Sequence, residues 1–92
     1  MATQVVLITG CSSGIGLEAA LAFARSGDTT VASMRDLSKA DALMKRAADE
    51  GLAIDLLQLD VTEEASIATA VATVEERHGG IDVIVNNAGV GY

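Results

Sequence analysis

An α/β fold with a doubly wound parallel sheet, strand order 3-2-1-4, is predicted by three observations on this sequence. Four short runs rich in β-branched residues alternate with three stretches of helical periodicity, giving βαβαβαβ. The first run is apolar throughout rather than alternating, as expected of a strand buried on both faces. No linker-like or low-complexity stretch interrupts the alternation. Parallel strands need right-handed crossovers, so helices are expected on both faces. Residues 1–92 are thus read as one half-domain whose sheet is cut off after its fourth strand.

Each element has its own signal. Gln4-Val-Val-Leu-Ile-Thr9 is the first strand, followed by a glycine-rich turn and a helix from Ser13 to Arg25. Gly27 stands just past that helix, where glycine relieves the C-terminal turn. Thr29 to Met34 is the second strand. Ser38, with Asp41 three residues on, forms a capping-box pattern for the second helix. Ala40, Leu43, Met44 and Ala47 recur along one face of that helix, and Gly51 ends it. Ala53 to Leu59 reads as the third strand. Thr62 is the expected N-cap of the third helix, with Glu63 and Glu64 at its positive end. Ile67, Ala70, Val71 and Val74 supply its apolar face, Gly79-Gly80 stops it, and Ile81 to Asn86 is the fourth strand.

Composition narrows the function classes. Half the residues are apolar, which supports a packed core; proline is absent, and Phe23 and Tyr92 are the only aromatics, so that core is aliphatic. The formal charge of −7, with six scattered Lys and Arg, argues against a nucleic-acid partner. It leaves a phosphorylated small molecule open, because helix N-termini hold phosphate without net positive charge. One cysteine, Cys11, allows no internal disulfide. The apolar run from Val5 to Ile8 is too short for a leader or a membrane span, so a cytoplasmic protein without membrane partners is expected. No metal ligands are assigned.

Function rests on the first turn, Thr9-Gly10-Cys11-Ser12-Ser13-Gly14-Ile15-Gly16. It follows a strand and opens a helix, the context in which spaced glycines cradle a dinucleotide. Gly10 permits the tight turn, Gly14 lets backbone approach a pyrophosphate, and Gly16 allows close packing of helix on strand. Without that context the glycines would be plain turn formers. A Walker P-loop is excluded, because no Gly-Lys-Ser/Thr closes the loop.

The TGxxxGIG pattern of this turn, together with Asn86-Asn87-Ala88-Gly89 and Leu59-Asp60-Val61-Thr62, resembles the classical short-chain dehydrogenases/reductases over essentially the whole chain. The first loop and Met34-Arg35-Asp36-Leu37 look most like the hydroxysteroid dehydrogenase branch. The resemblance implies a Rossmann-like fold in which Gly10, Ser12, Ser13, Gly14, Ile15 and Gly16 surround the phosphates and the adenosine ribose. It further implies that Asp60 accepts a hydrogen bond from the adenine amino group beside Val61, and that Asn87, Ala88 and Gly89 line the ribose on the nicotinamide side. Simpler readings stand beside these. Asp60 could be a solvated residue ahead of a helix, and the asparagines could stabilise the strand end.

Cofactor choice turns on the end of the second strand. An NAD site usually places a carboxylate there for the ribose hydroxyls, whereas a 2′-phosphate favours arginine. Met34 ends the strand and Arg35 follows, so NADP(H) is favoured over NAD(H). A shift of one residue would bring Asp36 into play instead.

The resemblance also implies groups that this sequence does not contain. The family's hydride transfer relies on Ser, Tyr and Lys, the last two in a YxxxK motif, and on an Asn from the fourth helix. None is found here, and no lysine follows Tyr92, so no catalytic residue is assigned. His78 is read as a helix-end histidine, Cys11 as a packing residue despite a nearby helix N-terminus that can lower a thiol pKa, and Glu75 and Glu76 as a solvated face. The expected activity is the cofactor-binding part of an oxidoreductase interconverting a secondary alcohol and a ketone. The alternatives are a non-catalytic dinucleotide-binding or assembly module and an S-adenosylmethionine binder, against which Arg35 speaks. A sheet ending at its fourth strand would expose Val83 and Val85 on an open edge and leave the third helix alone on its face, favouring self-association.

Overall fold

The computed structural model describes residues 3–87. It contains β1 (Val5–Ile8), α1 (Gly14–Arg25), β2 (Thr29–Met34), a 3-10 turn at Leu37–Lys39, α2 (Asp41–Glu50), β3 (Asp55–Gln58), α3 (Glu64–His78) and β4 (Val83–Val85). The strands form one parallel sheet in the order β3-β2-β1-β4, as the alternation of elements predicts. Register runs Val5 against Thr29, Val31 against Asp55 and Val6 against Val83.

Three strands are shorter than the sequence suggests because a ladder extends only as far as its neighbour. β3 begins at Asp55, opposite Val31, so Ala53 and Ile54 precede the pairing. β4 holds three residues; at its entrance the Asp82 N–H meets the Val5 carbonyl at 2.9 Å, and its carboxylate accepts from the Val5 N–H at 2.7 Å.

α1 and α2 cover one face of the sheet. Leu17, Ala20, Leu21, Leu43 and Ala47 pack there against Val6, Ile8, Ala32 and Met34. α3 covers the other, with Ala70 and Val74 against Leu7, Val31 and Leu59. The thinner cover has a visible result: Ile67 is 38% exposed and Ile84 56% exposed beside a cavity of about 160 Å³. β4 lies at the sheet edge as expected, paired with β1, and only the side chains it exposes differ. Side chains alternate across a strand, so Val83 and Val85 turn under the α1 face and Ile84 is the one left exposed.

Both expected hydroxyl caps are also corrected. Ser38 does not cap α2; Asp36 accepts from the Ser38 N–H at 3.0 Å and its hydroxyl at 2.7 Å, and α2 starts after Ala40. Thr62 does not cap α3; Asp60 accepts from the Thr62 N–H at 3.0 Å and its hydroxyl at 2.6 Å, and Glu63 occupies the N-cap. In each case a carboxylate two residues upstream is the stronger acceptor and draws the hydroxyl back into a turn.

Candidate dinucleotide-binding site

A parallel sheet directs all its carboxyl ends to one edge, and a crevice there is the usual ligand position of open α/β sheets. The loops leaving β1 to β4 converge at that edge around a cleft of about 470 Å³. Gly10, Ser12 and Ser13 enter from the first loop, Met34 and Arg35 from the second, Asp60 and Val61 from the third, and Asn87 from the fourth. Leu59 and Thr62, the flanks of segment 59–62, complete the wall, though neither was given a role of its own from the sequence. Gly14, Ile15 and Gly16 do not line it. They form the mouth of α1, where Ile15 is 79% exposed. Ala88, Gly89 and Tyr92 lie outside the described residues.

The glycines have separate physical duties. Gly10 and Gly14 adopt φ of +68° and +60°, a region that side chains disfavour. A Cβ on Gly14 would meet nothing within 4 Å, so its surroundings are open. A Cβ on Gly16 would land on the Gly10 carbonyl oxygen and lie 2.7 Å from Asn87 Nδ2. Close approach at Gly16 therefore presses α1 on the loop after β1 rather than on the strand itself.

Asn87 anchors the same corner. Its side-chain amide donates to the Gly10 carbonyl at 3.2 Å, and its N–H donates to the Thr9 hydroxyl at 2.9 Å. This stitches the exit of β4 to the glycine loop, so the structural reading of this asparagine holds. Thr9, which opens the motif, was missed as an anchor because threonine at a strand end carries no distinctive signal.

The helix mouth keeps donors available. Ser13 precedes α1 with an extended backbone and no side-chain cap, and the first helical bond runs from the Leu17 N–H to the Ser13 carbonyl at 3.4 Å. Gly14, Ile15 and Gly16 therefore present N–H groups without a backbone acceptor among the described residues, the arrangement that receives anions at helix starts.

At the second loop, Arg35 is the first residue past the strand, and its backbone carbonyl accepts from Gln58 Nε2 at 3.1 Å. Its exposed guanidinium has no hydrogen bond or ion pair among the described residues. The Asp36 carboxylate is engaged by Ser38; these hydrogen bonds, the side-chain one foremost, hold its pKa below the usual carboxylate value. Asp36 lines only a smaller hollow of about 100 Å³ with Ser12, Met34, Arg35 and Lys39. Lys39 went unnoticed in the sequence because the 3-10 turn that brings it there has no clear periodicity.

Asp60 follows β3, the strand next to β2, and so lines the cleft beside the second loop. The Thr62 hydroxyl and then the Thr62 N–H hold its carboxyl below the ordinary range, with the charge of Arg35 adding to this. Cys11 is fully buried, and burial pushes its thiol up to about 11, opposite to what a helix N-terminus would do. Its packing role holds. His78 lies at the other end of the sheet, with Nε2 3.0 Å from Asp55 Oδ2.

No helix among the described residues is long and apolar enough to cross a membrane. Comparison with known proteins gives one consistent answer. The short chain dehydrogenase family model matches residues 4–92. Human retinol dehydrogenase 8 is 43% identical over 94 residues, covering 98% of this chain and 29% of its own length. Rat estradiol 17-beta-dehydrogenase 1 is 45% identical over 97 residues, covering 99% and 28%. A crystal structure of a variant actinorhodin polyketide ketoreductase with NADPH superposes with a TM-score of 0.84 at 35% identity, covering 92% of this chain and 33% of that one. The chain spans about a third of the length of the curated relatives it matches. It belongs to the short-chain dehydrogenase family.

Proposed function

We propose that residues 1–92 are the dinucleotide-binding portion of an NADP(H)-dependent oxidoreductase that interconverts a secondary alcohol and a ketone, akin to the hydroxysteroid branch. The observation that carries the cofactor preference is the contrast at the end of β2. The Arg35 guanidinium lines the cleft without a partner among the described residues, while Asp36 is turned onto Ser38 and lies outside the larger cleft. Two cations, Arg35 and Lys39, face one carboxylate in the small hollow, a balance that favours a 2′-phosphate over bare ribose hydroxyls.

The residues present fit a dinucleotide. Open space at Gly14, and N–H groups at the start of α1 without a backbone acceptor among the described residues, suit a pyrophosphate. Gly10, Ser12, Ser13, Gly14, Ile15 and Gly16 would surround the phosphates, with Met34 and Arg35 at the adenosine ribose, Asp60 and Val61 at the adenine, and Asn87, Ala88 and Gly89 toward the nicotinamide. When bound, the cofactor supplies the hydride. This chain's own residues hold and orient it, and the proton-transferring groups come from outside these residues.

Titration with NADPH and NADH tests the reading. The chain should bind NADPH about tenfold or more tightly, and Arg35→Ala should bring the two within about threefold, as expected for losing a charge-assisted contact. A preference unchanged by Arg35→Ala, or one for NADH, overturns the NADP assignment. A second reading, an assembly module, is favoured by the exposed Ile84 on a strand paired on one side only. It requires self-association in light scattering that Ile84→Lys abolishes.

A further inference from the structure

We infer that Thr62 and Ser66 are positioning residues that aim the Asp60 carboxylate at the adenine amino group, making the chain selective for a 6-amino over a 6-oxo purine dinucleotide. The inference rests on the dinucleotide reading above and goes beyond it in naming what enforces base choice.

A carboxylate at the start of a loop would ordinarily rotate about both side-chain torsions and face the cleft only part of the time. At Asp60 almost every polar group is committed. Its N–H donates to the Ser66 hydroxyl at 2.9 Å, and its carbonyl accepts from the Glu63 N–H at 3.1 Å. Its Oδ1 receives both the Thr62 N–H at 3.0 Å and the Thr62 hydroxyl at 2.6 Å. Among the described residues only Oδ2 has no partner, and Asp60 lines the larger cleft. Ser66 is on the first turn of α3, so it ties the main chain of Asp60 to a regular element instead of a second loop. Thr62 then fixes the remaining rotation.

An ionised carboxylate oxygen can only accept hydrogen bonds. An exocyclic amino group at the purine 6-position satisfies it, whereas an oxo group there opposes lone pair to lone pair. A hydrogen bond to a charged acceptor distinguishes two ligands by about tenfold or more. That selectivity depends on the oxygen staying aimed, because a freely rotating carboxylate turns away from the oxo group into water.

The test is fluorescence titration of the full chain with NADPH and with its hypoxanthine counterpart, in which oxo replaces amino. The unaltered chain should favour NADPH about tenfold. Thr62→Val and Ser66→Ala should each lower the ratio to about threefold or less, chiefly by weakening NADPH, while Thr62→Ser and Ser66→Thr should restore it. Circular dichroism and melting curves identify variants that fail to fold. Asp60→Asn supplies an independent arm: its amide can donate to an oxo group, so the ratio should fall toward unity or invert. Equal weakening of both nucleotides in the folded Thr62 and Ser66 variants, with the ratio kept, overturns the inference. So does NADPH binding without purine selectivity in the unaltered chain, which leaves the cofactor reading intact. Absence of any dinucleotide binding overturns both.

Discussion

The two ends of the sheet differ in how many polar groups they leave without a partner among the described residues. At the amino ends of the strands the acids are consumed by the fold: Asp82 takes the Val5 N–H, Asp28 the Gln4 N–H, and Asp55 meets both Arg77 and His78. At the carboxyl ends, the Arg35 guanidinium, the Ser13 hydroxyl, one oxygen of Asp60 and the first amides of α1 have no such partner among the described residues. Groups that complete the fold occur at both ends, Asp36 and Asn87 among them, whereas groups without a partner among the described residues gather at the carboxyl ends. That asymmetry suits the carboxyl edge to a ligand and the amino edge to structure.

The sharpest way to break the contrast is at Gly16, where the carboxyl edge is also tightly packed. Gly16→Ala drives a Cβ into the Gly10 carbonyl, and overpacking of this kind should cost about 2 kcal/mol or more in urea unfolding. Nucleotide binding should fall with it. Unchanged stability would mean that α1 and the loop are free to part. A smaller effect is expected at Lys39. Lys39→Ala should weaken NADPH binding about threefold to fivefold and leave NADH and stability unchanged, the size of one exposed charge contact. Equal loss for both nucleotides would remove Lys39 from the phosphate hollow.

At the opposite end the readout should be stability alone. Burial pushes the Asp55 carboxyl up, but hydrogen bonds from His78 and Arg77 and their charges outweigh it and hold the pKa below its usual value. A depressed folded-state pKa contributes stability above the unfolded value, near pH 4, that is lost as pH falls through the folded one. Asp55→Asn should therefore cost about 0.5 kcal/mol at pH 7, with the difference vanishing in acid and NADPH affinity unaltered. A change in affinity would show that the two ends are coupled.

How far the sequence could be read follows the same division. Sheet order and helix faces were legible because they rest on many residues acting together: the apolar β1 run, or Leu43 and Ala47 one helical turn apart. The glycine loop was legible because positive φ and close approach leave few alternatives to glycine. The caps were not. Asp36-Leu-Ser38 and Asp60-Val-Thr62 form the same turn, with the carboxylate taking N–H and hydroxyl two residues on, and a pattern that scores Ser and Thr as caps overlooks the acid upstream. Lys39 and Ser66 were hidden for a related reason. Their roles come from where a short turn and a first helical turn fold back, and single side chains leave no periodic trace.

The Asp36–Ser38 turn carries a lesson for redesign of coenzyme use. An acid is already present one residue past Arg35, and a protein engineer would be tempted simply to delete the arginine and rely on it. Its grip on Ser38 makes it a poor handle, since recruiting it would mean unwinding the 3-10 turn that starts at Leu37. On the NADP(H) reading proposed above, replacing Arg35 itself with an acid, and leaving its neighbour in place, is the shorter route to a preference for the unphosphorylated nucleotide.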